Sequence, residues 1–254
     1  MRKLAPIALS PSAGLALAPP REELDSPASL APEERVEVCE RIDVLANNAG
    51  GMFSGPTVTQ DGFEKTFQVN HLAPYLLTHL LIDTLIDSRA AVINTSSIGA
   101  RLFGKIDLDD LNWEQRRYRR WRAYGDSKMA NLMFGKELAA RLAAAGSSKK
   151  SLIAHPGYAS TELQGRSENF SDFFAKLGNK LPIAQPAADG ALPQLYAATL
   201  PDAKSGTFYG PTQFFGMRGA PGRSGYKKAA DDVEFRTALW EESERLTGEK
   251  FDVG

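Results

Sequence analysis

One cysteine, Cys39, stands in 254 residues. That excludes an intramolecular disulfide and suits a reducing compartment, here expected to be the cytoplasm. Histidine is nearly as scarce: His71, His79 and His155 lie at no metal-ligand spacing from each other or from Cys39, so no metal site is expected. There is no excess of one charge sign, with 30 Lys and Arg against 31 Asp and Glu and a net charge of −1. Nothing electrostatic therefore draws in nucleic acid or an anionic membrane. Long hydrophobic runs are missing too. The most apolar stretch, His71 to Ile86, carries two histidines, Pro74, two threonines and Asp83, and reads as a buried helix rather than a membrane span. Met1 to Ala18 has the basic start of a secretory signal, but Pro6, Ser10, Pro11 and Ser12 break its apolar middle. Glycine is almost absent from the first fifth of the chain, where Gly14 is the only one before Gly50.

What is present is ordinary globular text, 43% hydrophobic and 24% charged, enough for one α/β domain with a substantial core. Residues 1–23 form a Pro-, Ala- and Leu-rich tract with neither strand alternation nor a helical stripe, and are expected to be irregular; residues 24–254 form the domain. Within it, Pro27 to Arg41 reads as a helix, with Ser26 as N-cap and Pro27 in the first turn. Ile42 to Ala46 and Ala90 to Thr95 read as strands buried on both faces, and Ser151 to Ala154 and Gly206 to Tyr209 as further strands. Helical patterns run over Asp61 to Ile86, Trp121 to Ala145, Gln185 to Thr199 and Asp231 to Leu246, while Gly216 to Gly225 has low-complexity character. This alternation predicts an α/β fold: a Rossmann-type, doubly wound parallel sheet with helices on both faces. Ligands then bind beyond the carboxyl ends of the strands, where Asn47 to Gly50, Ser96 and Ser97, and Pro156 to Thr161 fall.

Tyr124 and Lys128 lie four residues apart in the long helix, on one face. A phenol titrates near pH 10, and a neighbouring ammonium favours phenolate, so the pair can exchange a proton with an alcohol or carbonyl. Alone, this spacing is also common on helix surfaces. Ser97 follows the strand reading VINTSS, so its hydroxyl is either a hydrogen-bond donor to a substrate carbonyl or a local backbone cap. Asn70 is a poor helix former in mid-helix, either functional or solvent-facing. Arg116, Arg117, Arg119, Arg120 and Arg122 crowd into RRYRRWR, a solvated loop or a receiver for an acidic group.

Five motifs in order carry a resemblance: Asn47-Asn48-Ala49-Gly50, Val69-Asn70, Ser96-Ser97, Ala123-Tyr124-Gly125-Asp126-Ser127-Lys128 and His155-Pro156-Gly157. From about Leu24 onward the chain resembles the short-chain dehydrogenase/reductase family. Asp109 to Trp113, Trp121 to Tyr124 and Leu239 to Ser243 resemble its retinol dehydrogenase and protochlorophyllide reductase branch. The resemblance implies an oxidoreductase using NAD or NADP. Tyr124 would be its general acid/base, and Lys128 would lower the tyrosine's pKa and hold the nicotinamide ribose. Ser97 would orient the carbonyl, and Asn70 would position a water linking Lys128 to solvent. It further implies cofactor contacts at Asn47, Ala49, Gly50, Pro156, Gly157 and Thr161, with Asp25 near the adenine. The helix bearing Leu76, Leu77, Leu80 and Leu81 and the Tyr124 helix resemble those that pair across homodimers of this family, with core packing the alternative.

The family's glycine-rich turn, T-G-x-x-x-G-x-G, has no counterpart before Gly50. The first βαβ unit is therefore expected to be largely absent, with a deletion, frameshift or misplaced start ahead of Leu24 as the explanation. Two functions follow: an active dehydrogenase or reductase, or a non-catalytic remnant that binds a partner. The substrate is expected to be a small apolar carbonyl or alcohol, covered by the loop from Ala159 to Pro182 with Phe170, Phe173, Phe174 and Leu177.

Overall fold

The computed structural model describes residues 41–53, 55–85, 91–160 and 185–253. Residues 1–23, Asp25, the expected helix from Pro27 as far as Glu40, Thr161 and the four apolar residues of the expected substrate loop lie outside them.

Among the described residues, five strands form the main sheet. They are β1 (Val44–Asn47), β2 (Ala91–Thr95), β3 (Lys150–Ala154), β6 (Phe208–Gln213) and β7 (Arg218–Arg223), in the spatial order β1-β2-β3-β6-β7. The first four run parallel, in the registers Val44 to Ala91, Val92 to Ser151 and Ile153 to Phe208. β7 returns antiparallel to β6, a departure from the all-parallel expectation. Its sequence, RGAPGR, hides a strand inside glycine and proline; as an edge strand it can accept Pro221, whose missing N–H breaks no inner ladder. Two short strands, β4 (Ala159–Ser160) and β5 (Gln185–Pro186), pair separately.

The helices are α1 (65–81), α2 (Ile98–Phe103), α3 (Arg120–Ala144), α4 (Ala187–Thr199) and α5 (Val233–Thr247). α1 begins four residues later than its pattern suggests. The Glu64 carboxylate accepts from the N–H groups of Thr66 and Phe67, a cap that fixes the first turn and stabilises it by about 1 kcal/mol. Short, glycine-containing α2 went unread in the sequence. α5 is capped by Asp232 and ends at Gly248, whose φ of +75° needs a residue without Cβ.

Two faces of the sheet build two halves of the core. On one, Leu45 and Val92 pack with Tyr75, Leu81, Phe134, Leu138, Leu142, Trp240 and Phe251. On the other, Ala91, Ile93, Leu152 and Ala154 meet Ala197 of α4. β1 is an exception to the expected double burial: Leu45 and Asn47 are buried, but Val44 is 42% exposed and Ala46 is exposed. Among the described residues it is the edge strand, and α4 covers the second face only from β2 inward. No helix among the described residues is long and apolar enough to cross a membrane.

α3 lies directly on β3, and a Cβ at Gly135 would fall 2.4 Å from Ile153 Cγ1. An alanine in a helix ordinarily stabilises by up to about 1 kcal/mol over glycine. Here Gly135→Ala is expected to lower stability by about 1–3 kcal/mol instead, through overpacking, as read by chemical denaturation.

Candidate active site

The carboxyl ends of β1, β2 and β3 present Asn47 to Gly50, Ser96 with Ser97, and His155 to Gly157 along one edge. α1 and α3 cross beneath that edge, and their contact is polar. Asn70 sits in a π-helical turn of α1, Gln68–Leu72, and is fully buried. Its Oδ1 accepts from Gly51 N at 2.8 Å, while Nδ2 donates to Gly51 O at 2.9 Å and to Ser127 Oγ at 2.8 Å. Ser127 in turn donates to Tyr124 O. The solvent-facing alternative for Asn70 is thus excluded: it ties the loop after β1 to α3, and the widened turn is what aims it there.

Lys128, 4% exposed, extends from α3 to the end of β2 and donates from Nζ to Thr95 O at 3.0 Å. Burial lowers its pKa to about 8. Gly50 passes over it so closely that a Cβ there would lie 2.8 Å from Asn70 Oδ1 and 3.0 Å from Lys128 Nζ. A side chain at this position would push on the Asn70 amide and the ammonium.

Of the two roles its position allowed, the structure shows Ser97 in the local one. It caps α2, its Oγ accepting from Gly99 N at 3.0 Å. That bond uses the oxygen and leaves the hydroxyl hydrogen to be given elsewhere. Tyr124 stands beside it, almost wholly buried. Burial pushes the phenol above its ordinary pKa, and a hydrogen bond with Ser97 opposes the rise. Lys128, which the family resemblance casts as the group lowering that pKa, makes its hydrogen bond to Thr95 O. Two glycines allow the Ser97–Tyr124 approach. A Cβ at Gly104 would meet Ala100 O at 2.5 Å, and one at Gly125 would meet Phe103 Cβ at 2.6 Å, so α2 rests against α3.

Ser97 and Tyr124 open on a narrow cleft walled by Ile98, Leu102, Phe103, Trp121, Tyr158 and Met217 among others. Gly157, at φ +70°, lies in the same cleft, and a Cβ there would strike Met217 O at 2.5 Å. Pro156 O accepts from Gln185 Nε2. Buried His155 bonds Ser224 through Nε2 and Gly157 N through Nδ1; burial lowers its pKa to about 3, so it is neutral. Asn47 faces inward, donating to Thr78 Oγ1 and Asn94 Oδ1, whereas Ala49 and Gly50 are exposed at the sheet edge. Asp25 and Thr161 lie outside the described residues. Of the arginine cluster, Arg116 stacks on Trp113 and pairs with Asp110, and Arg116 and Arg122 both pair with Asp126. These two arginines brace the loop before α3.

Sequence reasoning missed the Thr95 carbonyl, Ser127 and Gln194. Backbone acceptors carry no sequence signal. Gln194, on α4, bridges Asn48 Oδ1 and Thr95 Oγ1 across the strand ends.

A profile of the short chain dehydrogenase family matches residues 28–106. Human retinol dehydrogenase 13 is 40% identical over 220 residues, covering 84% of this chain and 62% of that protein. Mouse retinol dehydrogenase 14 is 35% identical over 220 residues, at 85% and 62% coverage. The chain thus spans about three fifths of the length of these relatives. Among solved structures, an uncharacterized protein from Mycobacterium paratuberculosis is similar with a TM-score of 0.70 and 38% identity, covering 86% of this chain and 71% of that one.

Asn70 Oδ1 and Lys128 Nζ converge on one point, so charge at the first should be felt at the second. Asn70→Asp is expected to raise the Lys128 pKa from about 8 by about one unit or more, read from the Lys128 Cε chemical shift across pH.

Proposed function

The chain belongs to the short-chain dehydrogenase family, and we propose that it moves a hydride between NAD or NADP and an apolar carbonyl or secondary alcohol, with Tyr124 as acid/base. The observation that carries this reading is the pairing of the Ser97 and Tyr124 hydroxyls at one apolar cleft, with the Lys128 ammonium buried one helical turn away.

The residues present fit the nicotinamide half of such a cofactor. Gly50 lets backbone approach the ammonium, Ala49 and Gly50 are exposed along the strand ends, and Thr95 O takes only one of the Lys128 N–H donors. Lys128 would hold the ribose hydroxyls, and Asn47, Pro156 and Gly157 would line the ring. Thr161 and Asp25 would serve the carboxamide and the adenine. The cofactor, when bound, supplies or accepts the hydride. Everything else is done by side chains. Ser97, whose hydroxyl bonds Tyr124 in this structure, would turn its one hydrogen to the substrate carbonyl and polarise it. As charge grows on that oxygen, Tyr124 would give up its phenolic proton, and the phenolate left behind would be stabilised by the Lys128 charge. Asn70 fixes Gly51 and Ser127, and in this reading positions a water on the path by which Lys128 exchanges protons with solvent.

Direction follows from the phenol. Its raised pKa keeps Tyr124 protonated at neutral pH, ready to act as the acid in reduction. Oxidation needs the phenolate, about 4 kcal/mol away at pH 7 even for an ordinary phenol. The walls of Ile98, Leu102, Phe103, Trp121 and Met217 favour an apolar substrate, consistent with the retinol dehydrogenases the chain is similar to. We further propose a cytoplasmic setting, on the single cysteine, and self-association through α1, where Leu80 is 58% exposed while Leu81 joins the core. The second reading, a non-catalytic binding remnant, is favoured by one observation, that Gly14 is the only glycine before Gly50.

Tyr124→Phe is expected to cut carbonyl reduction by about 10²–10⁴-fold with an unchanged thermal melt; undiminished turnover would refute the assignment. Lys128 is charged below its pKa of about 8 and neutral above it. Reductive kcat should therefore hold through neutral pH and decline as pH rises past about 8. A profile that rises through that range contradicts the role given to the ammonium.

A further inference from the structure

Two adjacent residues of the π-helical turn reach α3 on either side of Lys128. Asn70 binds Ser127, and His71 binds Asn131, with Nδ1 3.3 Å from Asn131 Oδ1. In a regular helix, neighbouring residues point about 100° apart; the widened turn directs both at one partner. Asn131 Nδ2 donates to Thr95 O at 3.1 Å, the same carbonyl that accepts from Lys128 Nζ at 3.0 Å. Two donors saturate the two lone pairs of that oxygen.

We infer that His71 and Asn131 are positioning residues for Lys128, acting through the shared Thr95 carbonyl. Their effect on turnover rests on the reaction proposed above. The hydrogen-bond inventory fixes the protons. Asn131 gives its amide hydrogen to Thr95 O, so its oxygen faces His71 and can only accept. His71 must then carry a hydrogen on Nδ1. The ring is fully buried, and burial lowers its pKa to about 4, so it is neutral and Nε2 is an acceptor. Ser243 Oγ on α5 faces that nitrogen at 2.9 Å and donates to Leu239 O at 2.7 Å, so its one hydrogen is divided between two acceptors. The line Ser243–His71–Asn131–Thr95 O–Lys128 thus joins the C-terminal helix to the ammonium.

Packing alone does not ask for histidine here. The ring lies among Phe67, Tyr75 and Phe134, at centroid distances of 5.1, 6.3 and 6.1 Å, where phenylalanine would suit the surroundings better. An imidazole in this cluster is explained by what its two nitrogens hold.

Two substitutions separate positioning from packing. His71→Asn places an amide donor near the Nδ1 position; His71→Phe fills the cluster and supplies no donor. The Phe variant should melt at least as high as the Asn variant. Yet kcat should fall about tenfold or more in His71→Phe and stay within about threefold in His71→Asn, with little change in KM. Activity that follows the melting order overturns the inference. A readout independent of turnover uses nitrogen-15 NMR of the unsubstituted chain, which should show the Nδ1–H tautomer of His71, neutral down to about pH 5. In parallel, the Lys128 titration midpoint should move by about half a unit or more in His71→Phe and stay put in His71→Asn. An Nε2–H tautomer, or an unmoved Lys128, overturns the proposal. Absence of turnover by the unsubstituted chain on a panel of apolar carbonyls would instead defeat the proposed reaction, while the NMR measurements would still decide this one.

Discussion

A buried ammonium is the constraint around which this site is organised. Taking Lys128 out of water costs several kcal/mol unless polar partners meet it. The chain meets it with one backbone carbonyl, Thr95 O, and a glycine that brings backbone close without a side chain. Each of those partners needs its own support. Thr95 O lies at the end of β2, held between β1 and β3, and is shared with Asn131. Gly50 precedes Gly51, which Asn70 holds through both its N–H and its carbonyl. The π-helical turn in α1 makes sense in this light. It costs a regular hydrogen-bond ladder and gains two side chains aimed at α3 on either side of the lysine.

Close packing of helices does the rest. Gly104 and Gly125 let α2 lie against α3, and that contact brings the N-cap serine of one to the tyrosine of the other. The cleft that results is apolar because α2 and the start of α3 contribute Ile98, Leu102, Phe103 and Trp121, and the β6–β7 turn adds Met217. Within it, the phenol is buried enough to stay protonated. A protonated phenol beside a serine hydroxyl, both facing apolar walls, suits an uncharged ligand more than a charged one. The paired arginines carry the same message, since Arg116 and Arg122 are committed to Asp110 and Asp126 rather than to a ligand.

Much of this was legible in the residues. Continuous apolar runs located β2 and β3 within one residue, and the spacing of Tyr124 and Lys128 put both on one face of a helix that begins and ends within one residue of its expected limits. Asn70 stood out because a poor helix former in mid-helix needs a reason. The sequence could not supply that reason, since a π-helical turn depends on what the side chain finds in three dimensions. Patterning also failed where neighbours decide. Ile42 to Ala46 looked like an inner strand, yet β1 alternates between buried and exposed because one face is uncovered among the described residues. The RGAPGR segment concealed β7, for glycine and proline obscure an edge strand whose outer groups need no partner. The Lys128 hydrogen bond goes to a backbone carbonyl, Thr95 O, which no motif records.

The central claim is that this buried ammonium, with the strand ends around it, receives a nicotinamide dinucleotide. Calorimetric titration of the chain with NADH and NADPH, alongside a Lys128→Met variant that keeps length and loses charge, tests it most directly. The account predicts saturable binding of one of the two, weakened about tenfold or more by the substitution. No binding at millimolar concentration, or equal affinity in both proteins, would contradict it.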